Sequence, residues 1–180
     1  MNAVLNNQTR NTQAIAIVAL ASFTMLFGTF ILSFLLTELR NPVWPPIGVA
    51  EISKSLATFS TGVIIASSLL YEFARKDMQK IYFVGSFVLG LVFLGLQYEC
   101  LHSLWQQGQN LRSDMYSASI ILLISLHAIH LVVALSALAW VNYRSLFSKK
   151  PFPKLHSQIV GWFWHFLGFV WTLIFLVIIL

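Results

Sequence analysis

Five continuous apolar runs dominate this sequence, at about residues 14–36, 56–73, 81–101, 116–141 and 159–180. Each is close to or beyond the ~18–20 residues that a helix needs to cross a ~30 Å hydrocarbon layer. Inside lipid every backbone N–H and C=O must be satisfied within the protein, which leaves helices and closed barrels. Barrel strands read as alternating segments of ~10 residues, whereas these runs are unbroken. The sequence therefore predicts an all-α integral membrane bundle of five transmembrane helices, a single transmembrane domain over residues 1–180. Composition agrees: hydrophobic residues make up 58% and charged residues 9%, with mean hydropathy +0.78. A soluble domain carries ~25% charged residues, so a water-soluble monomer is excluded. Disorder is excluded by the same apolar surplus. One cysteine, Cys100, rules out a disulfide scaffold and reads as a small apolar filler.

The first run follows a polar stretch, residues 1–13, and exceeds 20 residues. A signal peptide has an apolar core of roughly 7–15 residues, so this run reads as a span. Four polar connections separate the runs, at residues 38–55, 72–80, 102–115 and 143–156. Pro42, Trp44, Pro45 and Pro46 break the first, and Pro151 and Pro153 lie in the last. With five spans, the N-terminus and the second and fourth connections share one side. That side carries Arg10, Arg75, Lys76, Lys80, Arg144, Lys149, Lys150 and Lys154, against Arg40, Lys54 and Arg112 on the other. Basic excess marks the cytoplasmic side. The N-terminus is expected in the cytoplasm and the C-terminus outside. The same distribution explains the net charge of +5 without a nucleic-acid partner.

Small residues recur at close spacing in the second run (Ala57, Thr61, Gly62, Ala66), and the third contains Gly85, Gly90 and Gly95. Such residues let membrane helices approach closely, although glycine is also common in membrane helices generally. Ionisable groups inside a span are expensive in lipid and are candidate sites. Four qualify: Glu99, His127, His130 and His165. His127 and His130 are three apart and share a helix face. At ~1.5 Å per residue, His130 and His165 lie at similar depths from the basic side, so the three imidazoles are expected at one helix contact. Two readings remain open there. One is a haem or metal site, which needs about three or four ligands. The other is a structural seam of neutral histidines hydrogen-bonded across helices. Trp164 and Trp171, seven apart, lie on one face well inside the fifth run and read as part of that seam. Gln97 and Glu99 close the third run, and Glu99 is either proton-linked or reaches the interface. No phosphate-binding Gly-rich loop with Lys, GxSxG, HExxH or CxxC is present.

Five local patterns occur in the order of one known family. Trp44-Pro45-Pro46-Ile47-Gly48 precedes a helix; Leu89-Gly90, Phe93 and Gln97 follow; then come Ser113-Asp114, Tyr116 and His127-Ala128-Ile129-His130; the last helix carries Trp162-Phe163-Trp164-His165-Phe166 and Trp171. Together they resemble the haem–copper oxidase subunit III family, cytochrome c oxidase subunit III. The resemblance covers about residues 40–171 and fits the short five-helix bacterial form, which lacks the first two of seven helices.

The resemblance implies a non-catalytic subunit of a respiratory terminal oxidase in the bacterial cytoplasmic membrane. Such a subunit packs on catalytic subunit I, contacts lipids, and supports proton uptake and stability during turnover in aerobic electron transport. It implies no haem or copper in this chain, both being expected in the partner. The sequence departs from the family in its acids. Residues 11–37 contain none, Gln-x-x-Glu becomes Gln97-Tyr98-Glu99, and His-Phe-x-Asp becomes His165-Phe166-Leu167-Gly168. A family Glu is Gln158, and glycines flanking the paired histidines are Ser125 and Ala128. Alternatives are an accessory subunit of a quinol oxidase or nitric oxide reductase, and a haem- or metal-binding membrane redox protein.

Overall fold

The computed structural model describes residues 2–44, 46, 53–77, 79–147 and 154–179. Five helices account for nearly all of them, and no strand occurs among them: α1 (Asn2–Arg40), α2 (Lys54–Asp77), α3 (Lys80–Gln106), α4 (Met115–Phe147) and α5 (Lys154–Ile179). Each is long and apolar enough to cross a membrane. Pro45, Ile47, Gly48, Lys149, Lys150, Pro151 and Pro153, used above in motif and loop assignments, lie outside the described residues.

The helices outrun the apolar runs that announce them. α1 begins twelve residues before residue 14 and is about 58 Å long at 1.5 Å per residue. Its leading residues are polar but include no Gly or Pro to interrupt the backbone hydrogen bonds. α2 likewise continues to Asp77, through residues expected in a connection. There Glu72 meets Arg75 and Lys76 one turn later, pairs that favour helix. Between α3 and α4 the turn is built from side chains. Gly108 takes φ 79°, a conformation that carries little penalty only without a Cβ. Asp114 then caps α4, its two carboxylate oxygens accepting from the Ser117 backbone N–H and hydroxyl at 2.8 Å each.

Helices α2, α3, α4 and α5 close a four-helix ring, each packed on the next and α5 back on α2. α1 lies outside the ring against α4 and α5. It docks by an edge of phenylalanines, of which Phe27 and Phe34 are almost fully covered, while Ile15, Val18, Met25 and Leu32 face outward. An outward apolar face is the ground state in lipid.

Candidate functional site: a polar seam between α2 and α5

The polar groups inside this bundle gather along the antiparallel contact of α2 and α5. Four rungs cross it. Trp171 Nε1–H donates to Thr61 Oγ1 at 3.1 Å, and Trp164 Nε1–H to Ser67 Oγ at 3.2 Å. Ser68 Oγ bonds His165 Nδ1. Tyr71 O–H donates to the Ser157 carbonyl at 2.8 Å. Ser67 also donates to the Ser86 carbonyl of α3 at 2.8 Å, so one hydroxyl ties three helices. The spacing of Thr61, Ser67, Ser68 and Tyr71 keeps their side chains within reach of one helix face. Sequence reasoning missed the last three, Ser86 and Ser157, although that spacing was a usable signal.

Glycines let the large rings in. A Cβ on Gly90 would lie 2.7 Å from Trp164 Cη2 and 2.8 Å from Leu135 Cδ2. A Cβ on Gly161 would lie 2.8 Å from the Tyr71 ring. The other small residues divide. Ala57 and Thr61 are buried, Gly62 and Ala66 face outward, Gly85 has only an ordinary contact with Leu70, and a Cβ on Gly95 would meet nothing.

The three imidazoles do not meet. His165 turns toward α2, with Nε2 3.6 Å from Glu72 Oε2. Glu72 is itself held by Arg75 through two bonds of 2.9 and 3.1 Å. His130 turns toward α1 instead, and His127 lies between α1, α3 and α5. The His130 ring stands edge-on to Phe23 and Phe27 at centroid distances of 4.8 and 5.3 Å. Its Nδ1–H donates to the Leu126 carbonyl of its own helix at 2.7 Å. His127 is fully buried among Phe27, Phe93 and Trp171, at 6.2, 6.0 and 5.5 Å. Neither of its nitrogens has a hydrogen-bond partner among the described residues. Depth along a helix axis is legible from residue counts; azimuth is not, and azimuth separates His165 from the other two. Among the described residues no three His, Cys, Asp or Glu side chains converge as a metal requires.

Trp171 joins the seam to His127: it bonds Thr61 of α2, and its ring lies tilted against the imidazole at 5.5 Å. Gln97 is 1% exposed, and its Oε1 has no partner among the described residues. Glu99, two residues on, is exposed on the outer flank of α3. Cys100 is buried beside Gln97. The acid that does enter the seam is Glu72, which sequence reasoning placed at the start of a connection.

An unpartnered buried polar group costs about 1–3 kcal/mol. Replacing His127 by Leu should therefore leave the protein as stable or raise its thermal midpoint. A fall in stability, read by the temperature at which the chain unfolds in detergent, would contradict this.

Comparison with known proteins sets this arrangement in context. No protein-family model matches. The chain is 31% identical over 172 residues to a probable cytochrome c oxidase subunit 3 of Mycobacterium leprae, covering 90% of this chain and 84% of the relative. It belongs to the cytochrome c oxidase subunit 3 family. The cytochrome c oxidase subunit 3 of Alkalihalophilus pseudofirmus is 30% identical, over 87% of this chain and 80% of that one. A probable quinol oxidase subunit 3 of Staphylococcus saprophyticus is also 30% identical, over 73% and 64%. As a subunit 3 homologue with five membrane-spanning helices, the chain is a multi-pass accessory subunit of a haem–copper terminal oxidase complex.

Proposed function

We propose that this subunit packs on catalytic subunit I of a cytochrome c oxidase in a bacterial cytoplasmic membrane. There it stabilises that subunit and supports proton uptake during turnover. The observation that carries this reading is the likeness to subunit 3 chains over nine-tenths of the sequence. The seam supports a structural role. His127, His130, Trp164, His165 and Trp171 are engaged in helix packing and hydrogen bonds between or within helices. Haem and copper belong to the partner chain. Gln97 and Glu99 are positioned differently: the first is internal, the second free to face lipid or a neighbouring subunit. Cytochrome c as electron donor is favoured by the names of several relatives, and the quinol oxidase relative supports quinol as the second reading.

Purification in mild detergent, identification of co-purifying chains and a reduced-minus-oxidised haem spectrum test this together. Subunit I should co-purify, and the isolated chain should show neither a Soret band nor about one copper per chain. Either signal in the isolated chain would overturn the non-catalytic reading.

The basic excess on one side supports a cytoplasmic N-terminus and an external C-terminus. A periplasmic-type reporter fused after Leu180 should be active, and a cytoplasmic-type reporter silent. The opposite pattern would require a different number of spans.

A further inference from the structure

We propose that one water molecule is a built-in component of this chain, bridging α2 and α3 between Ser60 and Gln97. A small, partly open cavity lies where α2, α3, α4 and α5 converge, lined by Ala57, Ser60, Gln97, Cys100, Ile124 and Trp171 among others. It leaves about 10 Å³ for the centre of a water-sized sphere. That is room enough for a water molecule.

Hydrogen-bond inventory selects the occupant. Gln97 Oε1 is a buried acceptor without a donor among the described residues. The hydroxyl and indole donors nearby are already committed, and the Cys100 thiol in the lining is only a weak donor. Ser60 O–H and Thr61 O–H both donate to the Ala57 carbonyl, at 2.9 and 2.8 Å. Trp171 N–H donates to Thr61 Oγ1. Ser60 Oγ therefore keeps acceptor capacity, as a hydroxyl oxygen carries two lone pairs. The cavity presents one unsatisfied acceptor, Gln97 Oε1, and a second with spare capacity, Ser60 Oγ, so two donated protons can be taken up. Water supplies both: one O–H to Gln97 Oε1, the other to Ser60 Oγ. A lipid acyl chain supplies none, and a cation has no carboxylate in this lining to balance it. The water extends the hydroxyl seam from α2 to α3 on the far side of Trp171.

The decisive measurement is a high-resolution structure of the detergent-purified protein with whatever partners it retains. A single density peak within about 3.2 Å of both Gln97 Oε1 and Ser60 Oγ is expected. An empty cavity, an acyl chain there, or a protein donor on Oε1 overturns the proposal; this arm needs no variant. A double-mutant cycle gives the second arm. Ser60→Ala should lower the unfolding temperature by about 2–4 °C in the native chain. In the Gln97→Met chain, where the water has already lost its other anchor, the same change should lower it by less than half as much. Equal drops in the two backgrounds would mean that no molecule couples the two residues.

Discussion

Replacing Trp164 by Ala should be among the most damaging single changes in this subunit. The indole is fully buried. It fills the space above Gly90 and donates to Ser67, which in turn holds α3 through Ser86. Trp→Ala in a soluble core costs about 3–5 kcal/mol, part transfer from water and part cavity. In lipid the transfer part shrinks, because the separated helices already sit in an apolar solvent. The cavity and the lost hydrogen bond remain, so about 3 kcal/mol is expected. Trp164→Phe keeps most of the ring but drops the N–H. The bond is worth about 0.6–1.7 kcal/mol between membrane helices, and the ring atoms lost over Gly90 leave a small void beside it. The measurement is the ratio of this subunit to the rest of the complex after detergent purification, with the haem spectrum recorded alongside. Trp164→Ala should reduce the ratio strongly, Trp164→Phe slightly, and neither should shift the haem bands. A shifted spectrum with full retention would contradict a structural role for the residue.

The amount of this structure legible in the sequence follows from what lipid forbids. Five apolar runs implied five helices because no other open backbone arrangement satisfies its hydrogen bonds there. The ends were less legible. Residues 2–13 and 72–77 are polar, and polarity marks the membrane boundary without marking the helix boundary. Residue type pointed to Trp164, His165 and Trp171, since polar groups inside a span are costly, but not to Ser67, Ser68, Tyr71, Ser86 or Ser157 opposite and beside them. It did not expose the pairing. His165 was expected beside His127 and His130, yet one rotation about α5 delivers it to Ser68 and Glu72. Ser67 and Ser68 carried no weight singly, because serine in a membrane helix commonly bonds its own backbone, as Ser22 and Ser136 do here. Their importance appears only once Trp164 and His165 are opposite them.

Gly90 and Gly95 make the same point by experiment. Both lie on α3, and nothing in the sequence separates them. A Cβ at Gly90 would enter the space of Trp164 and Leu135 at 2.7 and 2.8 Å, whereas a Cβ at Gly95 would meet no atom within 4 Å. Trp164 cannot easily withdraw, because its N–H is fixed on Ser67 and its ring is enclosed. Gly90→Ala should therefore destabilise by about 1–3 kcal/mol through overpacking, and Gly90→Val by more, its two methyl groups entering the same contact. Gly95→Ala should be neutral or stabilising by up to about 1 kcal/mol, since alanine replaces glycine in a helix with nothing to strike. The unfolding temperature of the detergent-purified subunit reads all three. A diagnostic pairing is Gly90→Ala with Trp164→Phe. The smaller ring removes the atoms nearest the new methyl, so the double variant should lose less than the sum of the singles. Strict additivity, or equal losses at Gly90 and Gly95, would mean that the Trp164 ring does not lie over Gly90 in the membrane.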